Sequence, residues 1–345
     1  MQSDAGAPLF GQGRHLLSVS QFDLPTLRGL FDLADQVGPI ARREGVCTVL
    51  DGAMLGSLFF EPSTRTRLSF ESAFLRLGGE VTTTTGFTFS SMAKGESIRD
   101  TARVVSGYSD VLVVRHPDIG SVAEFAAAST VPVVNAGDGA GEHPSQALLD
   151  VYTLEKELGQ RGRPVDGCRI AILGDLKYGR TVHSLMKLMA LHDRVAFAVF
   201  SPPSLELPES IAAYVQARGH RLITAPTVAE AVAGADAIYA TRVQRERLTG
   251  ELAQAGPAGD LLNRSILAAA GNLDAIIMHP LPRDARPGSF DLSPDVDDLP
   301  GLAIFHQTDN GLIVRMAIFL TVLGVSAEAV RLTTKQRPWK AMLRA

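Results

Sequence analysis

The chain has 345 residues, of which 46% are hydrophobic and 20% charged, and its formal net charge is −4. That length suits roughly two domains of about 150 residues, and the composition is an ordinary soluble one that can fill sizeable cores. The charge balance gives no support for a nucleic-acid or membrane-surface partner, no apolar run reaches the length of a membrane span, and Cys47 and Cys168 fit no C-x-x-C pattern. The two cysteines are expected as free thiols in a reducing compartment. Met1 to Gly13 is polar and Gly-rich, without the basic start and apolar core of a signal peptide, so the expected location is the cytoplasm.

In chain order, Ser20 to Val37 places Leu27, Leu30, Phe31 and Ala34 on one helix face, with Pro25 near its start, where a missing N–H costs little. Continuous apolar, β-branched runs then predict strands at 57–60, 111–115, 131–135, 169–174, 195–200, 236–240 and 275–279, as expected for parallel strands covered on both faces. Helical patterns lie between them at 97–107, 121–128, 145–158, 180–192 and 208–218. This alternation predicts an α/β class with parallel sheets. The polar stretch Gly159 to Gly167 is the best domain boundary that composition offers, residues 284–301 read as a loop, and 311–324 form an apolar helix. The ends, 1–13 and 334–345, are expected to be flexible.

Six polar stretches follow predicted strands, where open α/β sheets bind ligands. The most informative is Phe60-Glu61-Pro62-Ser63-Thr64-Arg65-Thr66-Arg67. It sits where a buried strand turns into a helix whose first N–H groups lack internal partners and whose dipole attracts anions. Hydroxyls and an arginine fork add donors suited to phosphate oxygens; the plainer reading is an N-cap, Ser63 or Thr64, followed by surface arginines. The second stretch, Ser90 to Ser97, holds Lys94 beside Gly95, either a mobile loop delivering a positive charge or a solvated turn. The third is Arg115-His116-Pro117 after an apolar strand.

The fourth stretch, Asn135 to Gln146, has three glycines that let backbone approach a ligand, and His143 and Gln146 stand at the next helix start. A helix N-terminus disfavours protonated histidine, so His143 is either a neutral donor to a carbonyl oxygen or a structural cap. The fifth, Gly174 to Thr181, mimics a Walker A motif, but Arg180 stands where the lysine belongs, which excludes an NTPase reading. The sixth pairs Thr241–Arg247 with His279-Pro280-Leu281-Pro282-Arg283, where prolines fix an extended turn and expose carbonyls that accept from an amine.

Together these stretches hold many cationic and hydroxyl donors and few carboxylates. There is no His or Cys pattern for a metal, no G-x-G-x-x-G after the first strand and no nucleophilic serine motif. The implied ligand is strongly anionic, a phosphate plus carboxylates, with chemistry run by positioning and charge stabilisation.

With these residues in hand, the chain resembles the aspartate/ornithine carbamoyltransferase family, on its aspartate side, from about His15 to Val325. The motifs occur in family order: Phe59–Arg67, Lys94-Gly95-Glu96, Arg115-His116-Pro117, Asn135–Gln146, Gly174–Leu185, Thr241–Leu248 and His279–Arg283. The resemblance implies two domains, each a parallel sheet flanked by helices. Residues 14–144 would bind carbamoyl phosphate, completed by a C-terminal helix, 305–330, packing back on that first domain, and 145–304 would bind aspartate. The implied reaction makes N-carbamoyl-L-aspartate for pyrimidine synthesis, with no cofactor and no metal.

Residue by residue, the resemblance implies that Ser63, Thr64, Arg65 and Thr66 form the carbamoyl phosphate turn and that Arg115 bridges phosphate and carbonyl oxygens. His143 and Thr66 would polarise the carbonyl, and Gln146 would hold the carbamoyl NH2. Arg180 would grip the aspartate α-carboxylate, Arg242 and Gln244 its side-chain carboxylate, and Pro280 and Leu281 would offer backbone carbonyls to the reacting groups. Ser90 and Lys94 match a loop that reaches the neighbouring subunit's site, implying a homotrimer; a regulatory chain or a dihydroorotase partner is compatible with it. Glu61, Glu246 and Arg247 resemble residues that hold the two domains closed through ion pairs. Asp284–Leu299 departs from the family pattern.

The nearest rival is transfer to ornithine, whose sites show His-Cys-Leu-Pro where this chain has His279-Pro280-Leu281-Pro282. Arg242 and Gln244 await a second carboxylate and favour aspartate. A non-catalytic anion-binding subunit and a dehydrogenase are the rivals from other classes; the retained motif residues oppose the first and the missing dinucleotide fingerprint the second.

Overall fold

The structure, a computed structural model, describes residues 15–86, 91–242, 261–284 and 291–337. The chain divides into two compact units, Met1–Ser145 with Asn310–Ala345, and Gln146–Asp309. The polar stretch 159–167 therefore lies inside the second unit.

In the first unit, α1 (Leu24–Ala41) begins at Asp23, whose carboxylate accepts from the Thr26 N–H; such a cap contributes about 1 kcal/mol. It buries Leu27, Leu30, Phe31 and Ala34 and runs on through Pro39, past the expected end at Val37. The chain continues through β1 (Gly45–Cys47), β2 (Met54–Phe59), α2 (Thr64–Arg76), β3 (Glu80–Thr85), α3 (Ile98–Ser106), β4 (Val111–His116), α4 (Ser121–Ala128) and β5 (Val133–Asp138). α5 (Pro144–Gln160) leads into the second unit. Strands β3-β2-β4-β5 form one parallel sheet in that order. One of its faces packs Leu58, Leu112, Val114 and Val133 against Val122 and Phe125 of α4, each large side chain contributing about 1.5–3 kcal/mol of burial.

The second unit continues with β6 (Arg169–Leu173), α6 (Arg180–Met189), β7 (Ala196–Phe200), α7 (Glu209–Gln216), β8 (Arg221–Thr224), α8 (Val228–Val232), β9 (Ala237–Ala240), α9 (Arg264–Ala269), β10 (Ile276–Met278) and only the start of α10 (Ile304–Leu323). Its five-stranded sheet runs β10-β9-β6-β7-β8, all parallel. The described end of the expected 284–301 loop contributes Leu292, Val296 and Leu299 to this unit's core.

The far end of α10 belongs to the first unit, as the C-terminal helix was expected to. Phe319 meets Phe70 and Phe74 of α2 edge-on, with ring centroids 5.8 and 4.9 Å away, and Arg315 Nη1 donates to Ser69 Oγ at 2.9 Å. After α11 (Ala327–Thr333) comes β11 (Thr334–Gln336). This start of the tail expected to be a loose end pairs antiparallel with β1.

All seven predicted strands are present. Besides β1 and β11, two strands of the parallel sheets were missed, β3 and β8; both are edge strands of half-exposed and exposed residues, so neither carries a continuous apolar run. In each sheet the chain leaves a strand in both directions, at β2/β4 and at β6/β9. In open α/β sheets ligands bind at such switch points, outside the carboxyl ends of the strands.

Candidate active-site residues

In the first unit, β2 and β4 end in register, Phe59 opposite Arg115, and the Phe60 N–H donates to the Arg115 carbonyl at 2.9 Å. The chain then turns into α2 with Ser63 extended at the N-cap position. The Ser63 hydroxyl makes no capping bond, so the plain N-cap reading does not describe this turn. Thr64, Arg65 and Thr66 are the first helical residues, and helix geometry gives their N–H groups no internal acceptor. Thr66 is buried, Ser63 half-buried, and Thr64 and Arg65 are exposed. Arg67 braces the helix instead, with its Nη1 3.6 Å from Glu71 Oε1, an oxygen that also accepts from Ser57.

Arg115 is 8% exposed. Its guanidinium donates to the Ala136 carbonyl at 3.2 Å and pairs with Glu61 Oε2 at 2.8 Å. A buried cation without partners would be costly, and these two bonds fix its plane at the end of β4. Glu61, matched by resemblance to a domain-closing residue, thus engages Arg115 within its own unit. The next residue, His116, accepts from the Asp118 N–H through Nδ1 at 3.1 Å, and burial lowers its pKa.

The glycine-rich stretch 135–146, which begins inside β5, separates into scaffold and site. Asn135 bonds the Leu17 carbonyl and the Gly137 N–H, and Asp138 accepts from the N–H groups of Gly120 and Val122 at the start of α4. Glu142 accepts from the Val19 N–H at 2.8 Å. Gly139 has φ +52, and a Cβ there would lie 2.5 Å from the Pro117 carbonyl, so only glycine lets this turn fold against the end of β4. His143 is left buried just before α5, its Nδ1 3.5 Å from Ser145 Oγ. Ser63 to Thr66, Arg115 and His143 therefore all lie at or beyond the carboxyl ends of neighbouring parallel strands of one sheet. Lys94 ends a short 3-10 turn, Ser91–Lys94, and is exposed. Ser90 lies outside the described residues.

In the second unit, β6 ends at Gly174, with φ +112. A Cβ there would come within 2.2 Å of the Thr241 carbonyl, so the loops after β6 and β9 cross in backbone contact. Arg180 is the first residue of α6 and is buried. Arg242, half-buried, follows Thr241, whose N–H and hydroxyl both donate to the Leu173 carbonyl. Gln244, Glu246 and Arg247 lie outside the described residues.

Beyond β10, the Leu281 N–H donates to His279 Nδ1 at 2.8 Å, and His279 Nε2 lies 2.8 Å from Asp291 Oδ2. Accepting at Nδ1 places the ring proton on Nε2, facing the carboxylate. Leu281 has φ +56 and precedes a cis peptide bond to Pro282; a left-handed leucine costs roughly 1–3 kcal/mol. Pro280 and Leu281 are both half-buried.

Sequence reasoning missed the polar frame behind this turn. Gln307 Oε1 accepts from the His279 N–H at 2.9 Å, and its Nε2 donates to Asp150 Oδ1 at 2.6 Å. Asp150, fully buried, also accepts from Gln146 Nε2 at 2.8 Å and from the Tyr239 hydroxyl at 2.7 Å. The available signal was a lone carboxylate one helical turn after Gln146 in the apolar run Ala147–Val151.

The comparisons with known proteins agree over both units. Residues 14–156 match the carbamoyl-phosphate binding domain of the aspartate/ornithine carbamoyltransferases, and residues 166–322 the aspartate/ornithine binding domain. The aspartate carbamoyltransferase catalytic subunit of Dichelobacter nodosus is 52% identical over 91% of this chain and 90% of its own length. That of Cellvibrio japonicus is 48% identical over 96% and 98%. The crystal structure of Trypanosoma cruzi aspartate transcarbamoylase with carbamoyl phosphate and aspartate is 36% identical, with a TM-score of 0.80 over 91% of this chain and 98% of that one. The chain belongs to the aspartate/ornithine carbamoyltransferase family.

Proposed function

We propose that this chain transfers the carbamoyl group of carbamoyl phosphate to the amine of L-aspartate, giving N-carbamoyl-L-aspartate and phosphate in de novo pyrimidine synthesis. The observation that carries the reading is the Ser63–Thr66 turn, a helix start with an uncapped hydroxyl, beside buried Arg115 and His143 on the same sheet edge. Such a set suits a dianionic phosphate bonded to a carbonyl that must become an oxyanion.

In this mechanism Ser63, Thr64, Arg65 and Thr66 hold the phosphate, and Gln146 holds the carbamoyl NH2. Arg180 takes the aspartate α-carboxylate, and Arg242 with Gln244 takes the side-chain carboxylate. The carbonyls of Pro280 and Leu281 accept from the attacking amine. The uncharged amine's lone pair forms the new C–N bond while Thr66, Arg115 and His143 stabilise the oxyanion. The C–O bond then breaks, its electron pair leaves with phosphate, and phosphate takes the amine proton. Ser90 and Lys94 act from a neighbouring subunit of a homotrimer, in the cytoplasm, with a regulatory chain or dihydroorotase as further partner.

The test supplies the purified chain with carbamoyl phosphate and either L-aspartate or L-ornithine. Carbamoyl-aspartate with ornithine inert is the expected result. Transfer to ornithine alone overturns the roles of Arg242 and Gln244, and no transfer to either from a folded trimer overturns the assigned amine. Mass in solution, measured with and without substrates, tests the trimer.

A further inference from the structure

We propose that Asp150 is a positioning residue that makes Gln146 a reader of an amino group and, through Gln307, holds the His279–Leu281 turn in the same frame. The inference rests on the reading of Gln146 given above.

Asp150 is 0% exposed on α5 and receives three donors: Gln146 Nε2 and Gln307 Nε2 on Oδ1, and the Tyr239 hydroxyl on Oδ2. A carboxylate is an acceptor only, so it dictates which end of each carboxamide faces it. Gln146 must turn its NH2 inward, which directs its Oε1 away from Asp150. That oxygen accepts no hydrogen bond within the second unit's described residues. An amide that can present only its carbonyl oxygen binds an NH2 and gains nothing from a methyl group. A glutamine free to flip loses part of that gain to ordering its amide, so its distinction is weaker.

Gln307 is oriented at both ends: its Nε2 faces Asp150 and its Oε1 holds the His279 N–H. His279 in turn holds the Leu281 N–H. One carboxylate therefore sets the amide that reads the carbamoyl nitrogen and the turn whose carbonyls receive the incoming amine. Replacing Asp150 by asparagine keeps the shape but leaves one NH2 and one neutral oxygen, so the two glutamine amides either meet a donor or are held by a weaker acceptor than the carboxylate.

The experiment compares two stable ligands by calorimetry, phosphonoacetamide and acetonylphosphonate, which differ only in NH2 against CH3, with inorganic phosphate as reference. The wild-type chain should prefer the amide. Asp150→Asn should cut that preference about tenfold, the worth of one buried hydrogen bond, while phosphate affinity stays within about twofold. Gln146→Leu should cut it equally, and the double variant should add little to either single change.

A wild-type chain without the preference sinks the Gln146 reading and this inference with it. Preference lost in Gln146→Leu but kept in Asp150→Asn overturns the inference alone. An equal loss for all three ligands in Asp150→Asn makes the residue merely structural and also overturns it. Should Asp150→Asn fail to fold, Asp150→Ala, which removes the acceptor without adding a donor, must lower the preference in the same direction; an unchanged ratio there overturns the proposal.

Discussion

The Ser63–Arg67 turn of the first unit and the His279–Leu281 turn of the second both follow a parallel strand, yet different forces hold them. The first is shaped by backbone: a helix begins, its leading N–H groups point outward, and Arg115 is pinned by a carbonyl and Glu61 beside it. The second is shaped by buried side chains, Asp150, Gln307, His279 and Asp291, joined by successive hydrogen bonds. An anion can be met by any helix start with added cations. An amine must be met by acceptors, and fixing carbonyls in a tight turn takes a dedicated polar frame.

If the first half works by concentrated charge, its largest loss should come from Arg115. Arg115→Ala should lower kcat by about 100- to 1,000-fold, as removal of an oxyanion donor does, with steady-state rates as the check. Near-wild-type turnover would reduce Arg115 to a brace for Glu61. Arg180→Ala should raise KM for aspartate by about 10- to 100-fold, the worth of a charge-assisted pair. Its KM for carbamoyl phosphate should stay within about threefold; equal rises in both would mean that the halves are not separable in this way.

Ser63→Ala sharpens the contrast further. Its hydroxyl caps nothing, so urea unfolding should reveal a loss smaller than the about 1 kcal/mol of a working cap. KM for carbamoyl phosphate should still rise about tenfold. A stability loss of that size with KM unchanged would restore the N-cap reading.

The smallest effect concerns pH. Burial lowers the folded pKa of His116, so its contribution to stability is present above the unfolded value of about 6.5 and is lost as pH falls through the lowered folded value. His116→Gln should flatten the fall in Tm on acidification, while an unaltered slope would assign that fall to other groups such as half-buried His183.

The central strands were legible in the sequence because burial on both faces demands unbroken apolar runs, as in Val111–Val114 and Ile170–Leu173. The edge strand β3, written Glu-Val-Thr-Thr-Thr-Thr, carries no such demand and was invisible. The same asymmetry holds for the site. Ser63 to Arg67 announces itself because a strand, a turn and cations adjoin in sequence. Asp150, Tyr239, Gln307 and Asp291 are separated by long stretches of chain and meet only after folding. Within the stretch 135–146, sequence could not separate the scaffold residues Asn135, Asp138 and Glu142 from His143, since all are polar residues after one strand.

The crossing at Gly174 bears on how such a site could change its choice of amine. A single methyl group there would strike the Thr241 carbonyl, and the Thr241 N–H and hydroxyl both bond the Leu173 carbonyl, so the two strand ends that deliver Arg180 and Arg242 can move neither together nor apart without losing these contacts. The frame is fixed in breadth, and a new acceptor must be accommodated by exchanging side chains upon it. Selection or design for a different amine would therefore act on Arg242 and the residues after it, leaving the backbone beneath untouched.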